Sequence, residues 1–122
     1  MPFKAQLQRV VDNTPGCINC TLMAFDGISV DSANSSQFFS DVSVEDCNVE
    51  YAMSLKQMRK AATGLDAGGI NELYVRGDKL ITVMRPLVDD YLVAASFVPQ
   101  ALVGKGRFLL RLVAPQLCKD LV

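Results

Sequence analysis

Three stretches of the chain repeat apolar residues with the period of an α-helix. The first covers residues 3–11 and is followed by a Thr-Pro-Gly turn. The second begins where Ser43 can cap a helix and should run to about residue 65. The third carries leucine or valine at every fourth position over residues 109–121. Pro115 lies inside this third stretch and is expected to kink or divide the helix.

Five further stretches have the composition of β-strands, because they are rich in β-branched and apolar residues and are bounded by turn residues. They span residues 17–25, 28–33, 70–76, 79–87 and 91–98. Short turns, including an Asp-Gly and a Gly-Asp pair, make consecutive strands antiparallel neighbours. The last strand is apolar on both faces, so it should be central and covered by helices on both sides.

The order of these elements predicts the fold class. We expect an α/β layered domain of the order α-β-β-α-β-β-β-α, with one five-stranded antiparallel sheet and helices on both of its faces. A chain of 122 residues is the size of a single domain, so residues 1–122 are assigned to one.

The long second helix has two apolar faces. The face expected to pack on the sheet holds Cys47, Tyr51, Leu55, Met58, Ala62 and Leu65. The opposite face carries an apolar spot with a basic rim: Val49, Ala52 and Met53 among Lys56, Arg59 and Lys60. Such a combination is typical of an interaction surface, although single exposed apolar residues are also ordinary on a protein surface. In the polar connection before this helix, Phe38 and Phe39 are predicted to tuck onto the domain.

Composition narrows the possible partners. Half of the residues are hydrophobic and the mean hydropathy is +0.22, which favours an oligomer that covers apolar surface. A net charge of −1 gives no basic surface for nucleic acid or anionic lipid. The sequence contains no signal peptide pattern and no apolar run of about 18 residues, so we expect a cytoplasmic protein without membrane insertion.

The four cysteines are expected to be structural. Cys17 and Cys20 have the spacing of redox and zinc sites, but they lie on a predicted strand and not at a helix start. Being an odd number of residues apart, they should point to opposite faces of the sheet unless a bulge intervenes. Cys47 and Cys118 stand alone and the chain has no histidine, so no metal site is predicted.

Catalytic patterns are also missing. Without histidine, the usual serine and cysteine triads cannot form. The cluster Gly104-Lys105-Gly106-Arg107 lacks the spacing of a phosphate-binding loop and is better interpreted as a helix start. We therefore expect no cofactor and no intrinsic enzyme activity.

Three segments together resemble a known family. They are "LQRVVDNTPGCINCTLMAFDGISVDSA", "MRKAATGLDAGGINELYVRGDKLITVMRPLVDDYLVAASF" and "GKGRFLLRLVAPQL". Their order and spacing resemble the Roadblock family of dynein-associated light chains over nearly the whole chain. Among its bacterial members, the chain is similar to the MglB type, which regulates a Ras-like small GTPase.

The resemblance implies a homodimer and a GTPase partner. In the dimer, the long helix and the third strand of each subunit would meet their counterparts and form a ten-stranded sheet, with Ile70, Glu72, Tyr74 and Arg76 at the contact. The third strand would otherwise be a bare edge. From the pattern of the long helix, we expect the GTPase to bind its outer face at Val49, Ala52, Met53, Lys56 and Lys60. The alternative is that these residues form the dimer contact between the two helices. Promotion of GTP hydrolysis would then need no catalytic residue from this chain.

Two other functions stay open. The protein could be a non-catalytic structural subunit of a motility or signalling complex, which sequence alone barely separates from a GTPase regulator. A small-molecule sensor would need a cavity between helix and sheet, whereas the dense leucine, valine and methionine content suggests a filled core.

Overall fold

The computed structural model describes residues 2–122. Its elements are α1 (Lys4–Asn13), β1 (Cys17–Ala24), β2 (Ser29–Asn34), α2 (Val44–Gly64), β3 (Leu73–Arg76), β4 (Ile81–Pro86), β5 (Tyr91–Phe97) and α3 (Val103–Leu121). The predicted order and fold class are therefore confirmed. None of these helices is long and apolar enough to cross a lipid bilayer.

The five strands form one antiparallel sheet in the order β2-β1-β5-β4-β3. The apolar strand β5 is central, as predicted, and every residue from Leu92 to Phe97 is buried. Helices α1 and α3 cover one face, where the larger core includes Leu22, Val83 and Leu110. Helix α2 covers the other face over a smaller core that includes Met23 and Met84.

Helix α3 is continuous through Pro115, so the proline does not divide it. Near its start the helix approaches the sheet very closely at Gly106. A Cβ atom at this position would lie 2.5 Å from Cε2 of Phe97 on β5. Only glycine permits this contact between the helix and the central strand.

The two cysteines of β1 lie on the same face of the sheet, which corrects the expectation of opposite faces. The pairing of β1 with β5 shifts register between Cys17 and Asn19. This irregularity adds one residue to the strand and turns Cys17 to the side of Cys20, where both thiols are buried in the larger core. The four cysteines are free.

The buried face of α2 also differs from the predicted one. Asn48, Ala52 and Leu55 are its buried residues, whereas Met58 and Leu65 are 47% and 78% exposed. The physical reason is the position of α2 over the sheet. Ala52 and Leu55 lie over apolar strand residues of the smaller core, and Asn48 lies beside Asn19 and Thr21 of β1. Met58 and Leu65 are on the flank toward β3, where no further strand among residues 2–122 lies to cover them.

The connection between β2 and α2 places its two phenylalanines differently. Phe38 is half-buried, as predicted, but Phe39 is 74% exposed.

Candidate functional site

The two edges of the sheet are not equivalent. At the β2 edge, Lys4 of α1 donates to the carbonyl of Ser32 and lies 3.8 Å from the carboxylate of Asp31. No strand among residues 2–122 pairs with the outer side of β3. The amide of Gly77 bonds to the carbonyl of Leu80 on the β4 side. Because bonding alternates along an antiparallel pair, Tyr74 turns its own N–H and C=O groups to the open edge.

Two of the four predicted contact residues, Tyr74 and Arg76, lie on β3, whereas Ile70 and Glu72 precede it, because the strand begins at Leu73 and not at residue 70 as predicted. In the pairing of β3 with β4, Tyr74 and Arg76 are the partners of residues of the larger core, on the face of the sheet that α3 covers. The guanidinium of Arg76 donates to the Tyr74 hydroxyl at 3.3 Å. Arg107 of α3 lies over the Tyr74 ring, 5.5 Å from its centroid, and pairs with Glu72. Ile70 packs instead against the smaller core under α2. The four predicted residues thus flank the edge from both faces of the sheet.

The side of α2 that faces β3 is apolar and exposed. Val49, on the other flank of α2, lies beside Gly27 in the turn between β1 and β2. The opposite flank therefore points toward β3, and it carries Tyr51, Met58 and Leu65. We call these three residues the β3-side flank. They belong to the stripe that sequence analysis assigned to the sheet, and the structure places them next to the open edge.

The predicted partner surface on α2 is only partly accessible. Ala52 is fully buried, so its assignment to a binding surface is wrong, because its position faces the sheet. Val49 is half-buried beside Gly27. Met53 is 54% exposed, and Lys56 and Lys60 are exposed beside it. Met53, Lys56 and Lys60 are therefore the predicted residues that a partner can reach, and we call them the α2 partner face.

A basic groove of about 280 Å³ adjoins the α2 partner face. Its lining is Lys56, Arg59, Lys60 and Thr63 of α2 with Phe25 and Asp90 from two turns of the sheet. The guanidinium of Arg59 lies 4.7 Å from the centroid of the Phe25 ring, a cation–π contact. Sequence reasoning missed Phe25 and Asp90, since they lie far from α2 along the chain and no local pattern connects them to it.

A second, polar cavity of about 350 Å³ lies between the N-terminal half of α2 and strands β1 and β2. Asn48 of α2 and Asn19 and Thr21 of β1 line it, and all three are buried. Asn19 donates to the side-chain oxygen of Asn34 at 2.9 Å and accepts from the Thr21 hydroxyl at 2.7 Å. The expectation of a filled core does not hold at this place.

The buried thiols of Cys17 and Cys20 are held in their protonated, unreactive form. Burial raises the pKa of the Cys17 thiol to about 12, although a backbone hydrogen bond at Asn19 acts in the opposite direction. Burial, and secondarily the charge of Cys17, raises the pKa of Cys20. A protonated thiol is a poor nucleophile and a poor metal ligand. Within residues 2–122 no three acidic or cysteine side chains converge to hold a metal ion.

Comparisons with known proteins give matches among solved structures. MglC from Myxococcus xanthus is 36% identical, with a TM-score of 0.71, and the match covers 98% of this chain and 99% of that one. A Roadblock/LC7 domain from Streptomyces avermitilis is 15% identical, with a TM-score of 0.73 and coverage of 96% and 98%. The gliding protein MglB from Thermus thermophilus is 13% identical, with a TM-score of 0.81 and coverage of 94% and 84%. The last two likenesses concern the fold alone. No protein-family model and no curated protein matches the chain.

Proposed function

The chain belongs to the Roadblock family, and from this premise we propose that it is a homodimeric regulator that binds a Ras-like small GTPase and promotes its GTP hydrolysis. The single observation that carries the proposal is that the open edge of β3 lies next to the exposed apolar residues of the β3-side flank. The nature of the partner rests on the family resemblance to the MglB type. We place the complex in the cytoplasm.

The dimer follows from two surfaces that one copy leaves uncovered. The edge of β3 presents unpaired backbone groups, and Met58 and Leu65 of the β3-side flank are exposed beside it. A second copy related by a twofold axis would pair β3 with β3 and bring the two α2 helices side by side. Both surfaces would be covered in one step, giving a ten-stranded sheet. Ile70, Glu72, Tyr74 and Arg76 would border this contact.

The GTPase would bind the α2 partner face. This face lies on the flank of α2 away from β3, so it would stay open in the dimer. Each copy in the dimer would present one such face. Met53 would supply apolar contact, with Val49 at its margin. The lysines and the adjoining basic groove would steer an acidic surface of the GTPase into place.

The protein would promote GTP hydrolysis without contributing a catalytic residue of its own. Arg59, a cation of the groove, is held over Phe25 of its own chain and is no free arginine finger. The chain has no histidine to serve as a general base. Binding would instead hold the GTPase's own catalytic groups in the geometry that stabilises the transition state.

A second candidate function is a structural subunit that binds in a motility complex without altering GTP turnover. It is favoured by the identity of only 13% to the gliding protein MglB, since a likeness of the fold alone gives no support to a GTPase-activating role. The two functions share the dimer and the partner face, and they differ only in their effect on the rate of hydrolysis.

Two matched variants test the proposal, because Met53 and Met58 are exposed to a similar degree on opposite flanks of α2. Sedimentation should show that the wild type and Met53→Asp are dimers at micromolar concentration and that Met58→Asp is a monomer. GTP turnover of a small GTPase encoded beside this gene should rise with the wild type and not with Met53→Asp. A monomeric wild type, or a monomeric Met53→Asp, would overturn the assembly. Binding without faster turnover would favour the structural subunit.

A further inference from the structure

We propose that the open edge of β3 is complementary to itself and that two copies pair in one register, with the twofold axis at Tyr74. In this register Glu72 of each copy would lie opposite Arg76 of the other. Leu73 would lie opposite Val75. The inference rests on the proposed homodimer and deepens it, because it names the side chains by which the chain recognises a second copy of itself.

The backbone of β3 limits the registers that are possible. Along an antiparallel strand, residues alternate between bonding to one neighbour and turning their N–H and C=O groups to the other side. Gly77 bonds to Leu80 on the β4 side, so Tyr74 and Arg76 turn these groups to the open edge. In a twofold pair, an edge-facing residue of one copy must lie opposite an edge-facing residue of the other. The axis must therefore pass through a residue position and not between two.

Glu72 continues the alternation of the strand although it precedes β3. Arg107 pairs with the Glu72 carboxylate and lies over the Tyr74 ring. Arg76 bonds to the hydroxyl of the same tyrosine. The side chains of Glu72, Tyr74 and Arg76 therefore lie on one face of the sheet, as alternate residues of an extended strand do. Ile70 packs in the smaller core on the opposite face, so the alternation ends before it.

The charges favour one register for this extended segment, ELYVR. Its two ends carry opposite charges, and an axis at Tyr74 places each Glu72 against an Arg76, which stabilises a strand pair. An axis at Val75 would place Glu72 against Asp78, two like charges. An axis at Arg76 would place two arginines opposite each other.

Backbone bonding favours the same axis. Tyr74 is the centre of the extended segment, so an axis there gives each edge-facing residue from Glu72 to Arg76 an edge-facing partner. An axis at Leu73 would move Arg76 opposite Ile70, which lies outside that segment. The axis at Tyr74 is thus the one that satisfies both the charges and the backbone groups.

Arg76 has a charge that its own chain does not balance. No carboxylate among residues 2–122 forms a salt bridge with it. Its exposed guanidinium donates only to neutral oxygens, the Tyr74 hydroxyl at 3.3 Å and the Pro99 carbonyl at 3.4 Å. Glu72 of a second copy would supply the missing carboxylate, held between Arg76 and its own Arg107.

Engineered disulfides test the register in a chain that also carries Cys47→Ala and Cys118→Ala. Tyr74→Cys would place the two new thiols on the axis, with Cα atoms about 5.5 Å apart, a distance that a disulfide spans. Mild oxidation should then give a covalent dimer on a non-reducing gel. In the matched variant Val75→Cys the two Cα atoms would be about 8 Å apart, too far for a disulfide.

Charge variants test the same register without a crosslink. Arg76→Glu and Glu72→Arg should each raise the dissociation constant of the homodimer about tenfold, because each brings like charges together at two symmetric places. A mixture of the two restores both opposite-charge pairs, so native mass spectrometry should show the heterodimer in excess of the two homodimers together. Lys79→Glu makes the same charge change at an exposed position outside the segment. Its mixture with Glu72→Arg should show no such excess.

The outcomes distinguish the register from the dimer itself. A monomeric wild type at micromolar concentration in sedimentation overturns both. With a dimeric wild type, the register alone is overturned if Tyr74→Cys dimerises without crosslinking, or if Val75→Cys crosslinks as readily. It is also overturned if the Lys79→Glu mixture favours the heterodimer as strongly as the Arg76→Glu mixture. If Tyr74→Cys is a monomer before oxidation, the charge variants decide. None of these measurements requires a GTPase.

Discussion

Arg107, near the start of α3, forms a salt bridge with Glu72, the residue that precedes β3, and the distance from Nη2 to Oε1 is 2.6 Å. The hydrogen bond to Glu72, followed by the charge of that carboxylate, raises the pKa of Arg107. The same guanidinium lies over the ring of Tyr74 on the open strand. One side chain of α3 therefore fixes both the entry to β3 and a residue of its free edge. We expect this arrangement to keep the edge in the conformation that a second copy would pair with.

The first prediction concerns this link between helix and edge. Arg107→Ala should raise the dissociation constant of the proposed dimer about fivefold, as loss of a partly exposed ion pair allows. Lys105→Ala removes an exposed cation nearby on the same helix and should leave the dimer unchanged. Sedimentation equilibrium of both variants is the measurement. Equal dissociation constants for Arg107→Ala and the wild type would contradict the role given to Arg107.

The second prediction compares two glycines of α3. An added Cβ at Gly106 would meet Phe97 at 2.5 Å, so Gly106→Ala should lower the free energy of unfolding by about 1–3 kcal/mol. Gly104 has open space around it, and Gly104→Ala should raise stability by up to about 1 kcal/mol through its better helix propensity. Urea unfolding of both variants measures the difference. If Gly106→Ala were as stable as Gly104→Ala, the close contact of α3 with β5 would be wrong.

The third prediction is that the free energy of unfolding falls as the pH rises above 9. The folded chain keeps Cys17 protonated up to a pKa of about 12, whereas an unfolded thiol titrates near 9. The unfolded state therefore releases protons first, so this contribution to stability is complete below pH 9 and is lost as pH rises from 9 to 12. The expected loss is about 1.4 kcal/mol per pH unit for each buried thiol. Urea unfolding at successive pH values from 8 upward measures it.

Cysteine variants separate this effect from other alkaline titrations. A chain with Cys17→Ala and Cys20→Ala should lose less stability over the same pH range than the wild type, although it starts about 1–5 kcal/mol less stable because it lacks buried side-chain atoms. The control carries Cys47→Ala and Cys118→Ala, at the two partly exposed positions, and should follow the wild type. Identical pH profiles for the two double variants would show that the buried thiols do not cause the loss.

Local sequence patterns were sufficient for the elements and their order. The hydroxyl of Ser43 accepts from the amide of Asp46 at 3.2 Å, so the helix starts where the capping pattern predicts. Uninterrupted apolar residues on both faces predicted the central position of β5, which the strand order confirms. These features depend on interactions between residues that are close in the chain, or on the periodicity of a single element.

The surfaces that could bind partners depended on what packs beneath each element. Hydrophobic periodicity assigned Met58 to the sheet and Ala52 to the outside, and the structure reverses both, because Ala52 lies over the strands of the smaller core and Met58 is on the flank toward the open edge of β3. The basic groove and the polar cavity join residues from distant parts of the chain, and the register shift at Cys17 arises from pairing with β5. The sequence by itself thus determined which segments become helices and strands and which of them is central. Only the tertiary structure decided which side of α2 is buried, because that choice depends on which strands lie beneath the helix and which edge of the sheet stays open.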